Sequence, residues 1–117
     1  MNEYNFRVWT GSPRSSIIEF QTVTLVPKDT ETTVLSFTNI GTQLYLEGIG
    51  GTGDARSEWF IYIDTVLKMK RRMTEGNGGI EIPMYDVPIP NASIVDVKVK
   101  HYDPRTHDFE SELRYFR

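Results

Sequence analysis

Apolar and polar residues alternate at a spacing of two along most of this chain, and the three-to-four spacing of a helix is hard to find. SIVDVKVKHY is the clearest run. Val95, Val97, Val99 and His101 form an apolar face against Ile94, Asp96, Lys98 and Lys100. TTVLSFTN sets Leu35 and Phe37 toward the core, opposite Val34, Ser36 and Thr38. TQLYLEGI sets Leu44, Leu46 and Gly48 against Tyr45, Glu47 and Ile49. In SIIEFQTVTLV the apolar side changes part-way, which predicts a bend or bulge. WFIYI is apolar on both faces and predicts a central strand. DTV then turns the chain into LKMKRRM, with Lys68, Lys70 and Arg72 on one side and Leu67, Met69, Arg71 and Met73 on the other. IEIPMYDVPIP carries Pro83, Pro88 and Pro90 and predicts an edge or irregular strand and not an interior one. FESELRYF closes the chain with Phe109, Ser111, Leu113 and Tyr115 inward.

With YNFRVWT as a further candidate strand, and turns at GSPRS, PKDTE and DPRTHD, the pattern predicts about eight to ten strands and no helix. The fold class is all-β, an antiparallel two-sheet β-sandwich of jelly-roll type, with a partly open barrel as the alternative. The 117 residues, 38% of them hydrophobic, suffice for one domain over 1–117 with one core. Residues 1–14 are expected to form an arm, either flexible or ordered on assembly. GIGGTGD is expected to be a mobile inter-strand loop, because glycines lose the most entropy on ordering.

Composition narrows the chemistry. The absence of cysteine excludes disulfides, thiolate nucleophiles and cysteine-ligated zinc. A net charge of −3 gives no whole-molecule attraction to DNA or to an anionic membrane, so binding of that kind requires a local patch. The first residues have no apolar run of the signal-peptide kind, and no stretch approaches the ~20 apolar residues that span a bilayer. A soluble protein without a membrane partner is the expectation.

GIGGTGD precedes a strand and lacks a GK[ST] ending, so it does not read as a phosphate loop. HYDPRTHD gathers His101, Asp103, His107 and Asp108, but without a metal-site spacing; it reads as a turn, and neither metal nor cofactor is expected. Glu47, Glu58, Asp64 and Glu81 would serve glycoside hydrolysis only at separations a sequence does not give, and no nucleophile motif is present, so the expectation is a protein that is not an enzyme. Trp9, Trp59, Tyr62 and Tyr85 would suit a glycan-stacking platform, although Trp and Tyr are more ordinarily core and interface fillers. Lys68, Lys70 and Arg72 would contact a partner, or protect a strand edge. Single-stranded nucleic acid would also need aromatics on that face, which Tyr62 across the hairpin would have to supply.

The LSFT strand, the LYLEGI strand running into a glycine-rich stretch, the WFIYID strand with its basic return, and VDVKVKHY before the last hairpin resemble small β-sandwich virion proteins of tailed bacteriophages, over roughly residues 20–115. The resemblance rests on hydrophobic pattern and transfers no functional residue. It implies a virion structural protein assembled in the host cytoplasm: a capsid decoration or a head, neck or tail accessory that self-associates as a homo-oligomer and docks on capsid, connector or tail proteins. A carbohydrate-binding module for host attachment is the alternative.

Overall fold

The structure, a computed structural model, describes residues 17–53, 55–73 and 78–117. The candidate strand YNFRVWT, the arm at 1–14 and Trp9 lie outside them. Eight strands follow in order: β1 (Ile17–Val26), β2 (Thr32–Thr38), β3 (Leu44–Gly53), β4 (Ser57–Ile63), β5 (Val66–Met73), β6 (Gly78–Ile89), β7 (Ile94–His101) and β8 (His107–Phe116). They form two antiparallel sheets, ordered β1-β8-β3-β6 and β2-β7-β4-β5. That order is the double-sheet arrangement of a jelly roll.

Period-two alternation becomes two inner faces. From the first sheet, Leu46, Ile49, Ile82, Phe109 and Leu113 are buried; from the second, Leu35, Trp59, Ile61, Val95, Val97 and Val99 meet them. Trp59 stands edge-on to Phe109, with ring centroids 5.9 Å apart at 82°. Phe37, half-buried, packs on Tyr115 at 4.9 Å. The proline-bearing β6 is an edge strand, and β1 breaks register between Val23 and Val26, where its apolar side changes. Leu25 lies in that bulge with φ 55°, its amide donating to Asp108 Oδ1 at 2.9 Å.

The glycine run corrects the sequence reading. Gly50, Gly51, Thr52 and Gly53 are not loop but the second half of β3, paired with both β6 and β8. Packing explains the residue type. A Cβ on Gly51 would lie 2.7–2.9 Å from the indole of Trp59, and one on Gly53 would overlap the ring of Phe109. The glycines admit two buried aromatic rings to the backbone.

Two polar hubs tie the loops at one end of the sandwich. Asp64 and Thr65, with φ 51° and 68°, have the paired positive φ of a two-residue hairpin turn. The Asp64 carboxylate accepts from the Ser93 hydroxyl (2.8 Å) and the Ile94 amide (2.9 Å). Buried Asn39 donates to the carbonyls of Thr42 (2.9 Å), Ile89 (2.9 Å) and Pro90 (3.2 Å), and its Oδ1 accepts from the Gly41 amide at 3.1 Å. Asn39→Ala leaves these groups without their partner and is expected to lower stability by about 2 kcal/mol. Urea denaturation checks this, and a loss below about 0.5 kcal/mol would contradict the bonding described.

Candidate functional site

The second sheet carries lysines, an arginine and aromatic rings on its outer face, with Glu58 and Phe60 buried beneath the cations. Alternation that buries Trp59, Ile61 and Val97 necessarily points Glu58, Phe60 and Tyr62 of β4, and Asp96, Lys98 and Lys100 of β7, the other way. Edge strand β5 adds Lys70 opposite Phe60 and Arg72 opposite Glu58. Lysines lie over the rings: Lys70 over Phe60 at 5.6 Å, Lys98 over Tyr62 at 5.0 Å and Lys100 over Tyr102 at 5.7 Å. Such contacts contribute about 0.5–1 kcal/mol each when exposed, enough to hold lysine stems against the sheet with their charges outward.

Glu58 organises this face. Its carboxylate accepts from Tyr102 Oη at 2.5 Å and pairs with Lys70 (3.6 Å) and Arg72 (3.5 Å). The Tyr102 hydrogen bond, followed by the two cations, holds the Glu58 carboxyl below its ordinary pKa against the opposing effect of burial, and the same bond raises the Tyr102 phenol. Tyr62 Oη donates to Glu31 at 2.8 Å, which raises its phenol as well.

The sequence candidates therefore fare differently. Lys70 and Arg72 do share an outer face, but both are engaged with Glu58. The strict alternation read for β5 fails at a register shift: Leu67 sits opposite Tyr62 and shares its outward face, while Lys68 takes the extra position, its charge reaching Asp64. Tyr62 is half-exposed beside Lys98. Trp59 is not a surface aromatic: it is 0% exposed, and its Nε1 donates to Ser57 Oγ at 3.0 Å beneath the first sheet. Tyr85 is 78% exposed, but on β6 of the other sheet, where positive φ at Tyr85 and Asp86 (53° and 60°) marks a register break. Among the described residues, Trp59, Tyr62 and Tyr85 form no common platform. Lys98, Lys100, Glu58 and Tyr102 join the site through cross-strand register; only the charged side of VDVKVKHY signalled the first two.

HYDPRTHD serves the fold. His101 is buried, with Nε2 2.7 Å from the Val26 carbonyl and Nδ1 accepting the Asp103 amide at 3.2 Å. Asp103 contacts His107 Nε2 at 3.2 Å, and the Arg105 side chain and amide hold its carboxyl far below the carboxylate range. Among the described residues no three His, Asp or Glu side chains converge as a metal site. Glu58, Asp64 (lowered by the Ile94 amide and the Ser93 hydroxyl) and Asp103 all have depressed folded pKa values. Their stabilisation is complete above the unfolded carboxylate range and disappears as pH falls through the folded values, so the melting temperature should hold from pH 7 to 5 and drop below about pH 4. Thermal melts from pH 7 to 2 check this; a flat profile would contradict it.

Fold and surface together define a jelly-roll module whose accessible chemistry lies on a charged sheet face. No protein-family model and no curated protein matches the chain. Among solved structures, a chain of Bacillus endospore appendages, disulfide-linked pili, is similar over 97% of this chain and 98% of that one, at 12% identity and a TM-score of 0.42. Likeness at that level carries no functional inference.

Proposed function

We propose that the protein is a non-enzymatic structural subunit that self-associates and docks on a larger particle through the outer face of its second sheet. The bacteriophage virion is the setting that the sequence resemblance implies. The observation that carries the reading is the face itself: Lys70, Lys98 and Lys100 lie over Phe60, Tyr62 and Tyr102, with Arg72 beside them on Glu58, in a chain of net charge −3. Local charge against the sign of the whole favours a specific, oriented contact with an acidic protein surface over indiscriminate adhesion. Three of the residues with catalytic potential support the same reading, since His101, Asp64 and Asp103 are occupied in joining strands and turns.

Size-exclusion chromatography with light scattering tests it. The expected mass is a multiple of 13.5 kDa that rises with concentration. A mass of 13.5 kDa at every concentration, with no binding to purified particles, would overturn the reading. So would glycan-array binding abolished by Tyr85→Ala, which points instead to sugar recognition.

A further inference from the structure

The opposite broad face has the complementary character. Where the inner face of the first sheet carries Ile49, Phe109 and Leu113, its outer face takes Gly48, Gly50 and Thr52 from β3 and is nearly bare of side chains along its middle. Register sets Gly50 between Glu112 of β8 and Glu81 of β6, and Thr52 between Glu110 and Gly79. The bare strand becomes the floor of a groove of about 330 Å³, walled by Glu81 on one side and by Glu110, Glu112 and Phe20 on the other. Phe20 is 57% exposed at the rim. At one end Arg114 crosses over Gly48, where a Cβ would lie 2.6 Å from the guanidinium, to reach Glu81 while bonding Glu112 at 2.6 Å.

We propose that this face receives the basic face of a second copy, placing Lys70, Arg72, Lys98 and Lys100 of one molecule against Glu81, Glu110 and Glu112 of the next. The inference rests on the self-association reading above and names its interface. Three features favour another copy over some other cation. The two faces belong to one chain and carry opposite net sign, Lys70, Arg72, Lys98 and Lys100 outnumbering Glu31, Glu58 and Asp96 on one and Glu81, Glu110 and Glu112 outnumbering Arg114 on the other, so they attract each other against the mutual repulsion of copies at −3. The glycine floor gives depth for lysine and arginine side chains, and Phe20 offers a ring on which a guanidinium stacks. The faces lie on opposite sides of the sandwich, so each molecule keeps one of each free after pairing. Such a heterologous contact propagates head to tail, closing as a ring or continuing as a filament, and does not stop at a two-fold dimer.

Three variants test the interface by light scattering, with circular dichroism confirming that each folds. Glu110→Lys/Glu112→Lys leaves both faces basic, and Lys98→Glu/Lys100→Glu leaves both acidic. Each alone is expected at 13.5 kDa, whereas an equimolar mixture associates. Gly50→Leu fills the groove without altering charge; the nearest atoms to its Cβ are 3.7–3.8 Å away, so the fold accepts it, and association should weaken at least tenfold. If the wild type associates and all three variants associate equally well, or the mixture of the two charge-reversed proteins stays monomeric, the interface is wrong and self-association stands. If the wild type is itself monomeric, both fail.

Discussion

Replacing Trp59 with alanine is expected to lower folding stability by about 3–5 kcal/mol, the range for removing a large aromatic from a packed core. Among the described residues the indole is the largest side chain with no exposed surface, and it joins the two sheets: it belongs to β4, rests on the backbone of Gly51 in β3 and meets Phe109 of β8 edge-on. Truncation opens a cavity that three strands cannot collapse into, and it leaves the Ser57 hydroxyl without its 3.0 Å donor. A domain of this length has roughly 6–17 kcal/mol in total, so the variant should unfold at much lower urea or fail to accumulate. A change below about 1 kcal/mol would show that Trp59 does not sit between the sheets.

Alanine at Gly51 and Gly53 is expected to cost about 1–3 kcal/mol at each position by overpacking, with the two together rivalling the tryptophan truncation. A glycine in a strand is ordinarily improved by alanine, so the sign itself is informative. Here the added methyl meets Trp59, carried by the opposite sheet, at 2.7 Å in one case, and in the other the ring of Phe109 on the neighbouring strand β8, which is itself packed against Trp59. The clash with Trp59 should be relieved in a Trp59→Leu background, giving a coupling of about 0.5–3 kcal/mol in a double-mutant cycle. Additive costs, or stabilisation by Gly51→Ala, would place the glycine run outside the sheet.

Much of the fold was legible because a period of two survives without tertiary knowledge. Phe109, Ser111, Leu113 and Tyr115 alternate so cleanly that only one face could be inner, and the prolines of β6 marked an edge. The change of apolar side in β1 signalled its bulge. The misreadings share one cause, which is that they depend on what lies across the sandwich or on the next strand. Glycines 50, 51 and 53 read as flexible until Trp59 and Phe109 are laid over two of them. Trp59 stayed open between glycan platform, core and interface because WFIYI is apolar on both sides and does not say which ring faces in. One extra residue opposite Ile61 and Tyr62 turned Leu67 outward, beyond any inference from alternation.

The candidate site was partly visible. Lys70 and Arg72 stood out as a local run, but Glu58, which sets their positions, comes from the neighbouring strand. The acidic groove was invisible because Phe20, Glu81, Glu110 and Glu112 reach it from β1, β6 and β8, distant in sequence and joined only by strand order.

The central claim is that opposite faces of this sandwich meet between copies, and a salt series on the wild-type protein tests it most directly. Light scattering at a fixed high protein concentration should give a multiple of 13.5 kDa at low salt. It should fall toward the monomer as ionic strength rises from about 0.1 M to about 1 M, because the screening length shrinks from about 10 Å to about 3 Å. A mass of 13.5 kDa at low salt, or an assembly indifferent to salt across that range, would contradict the account.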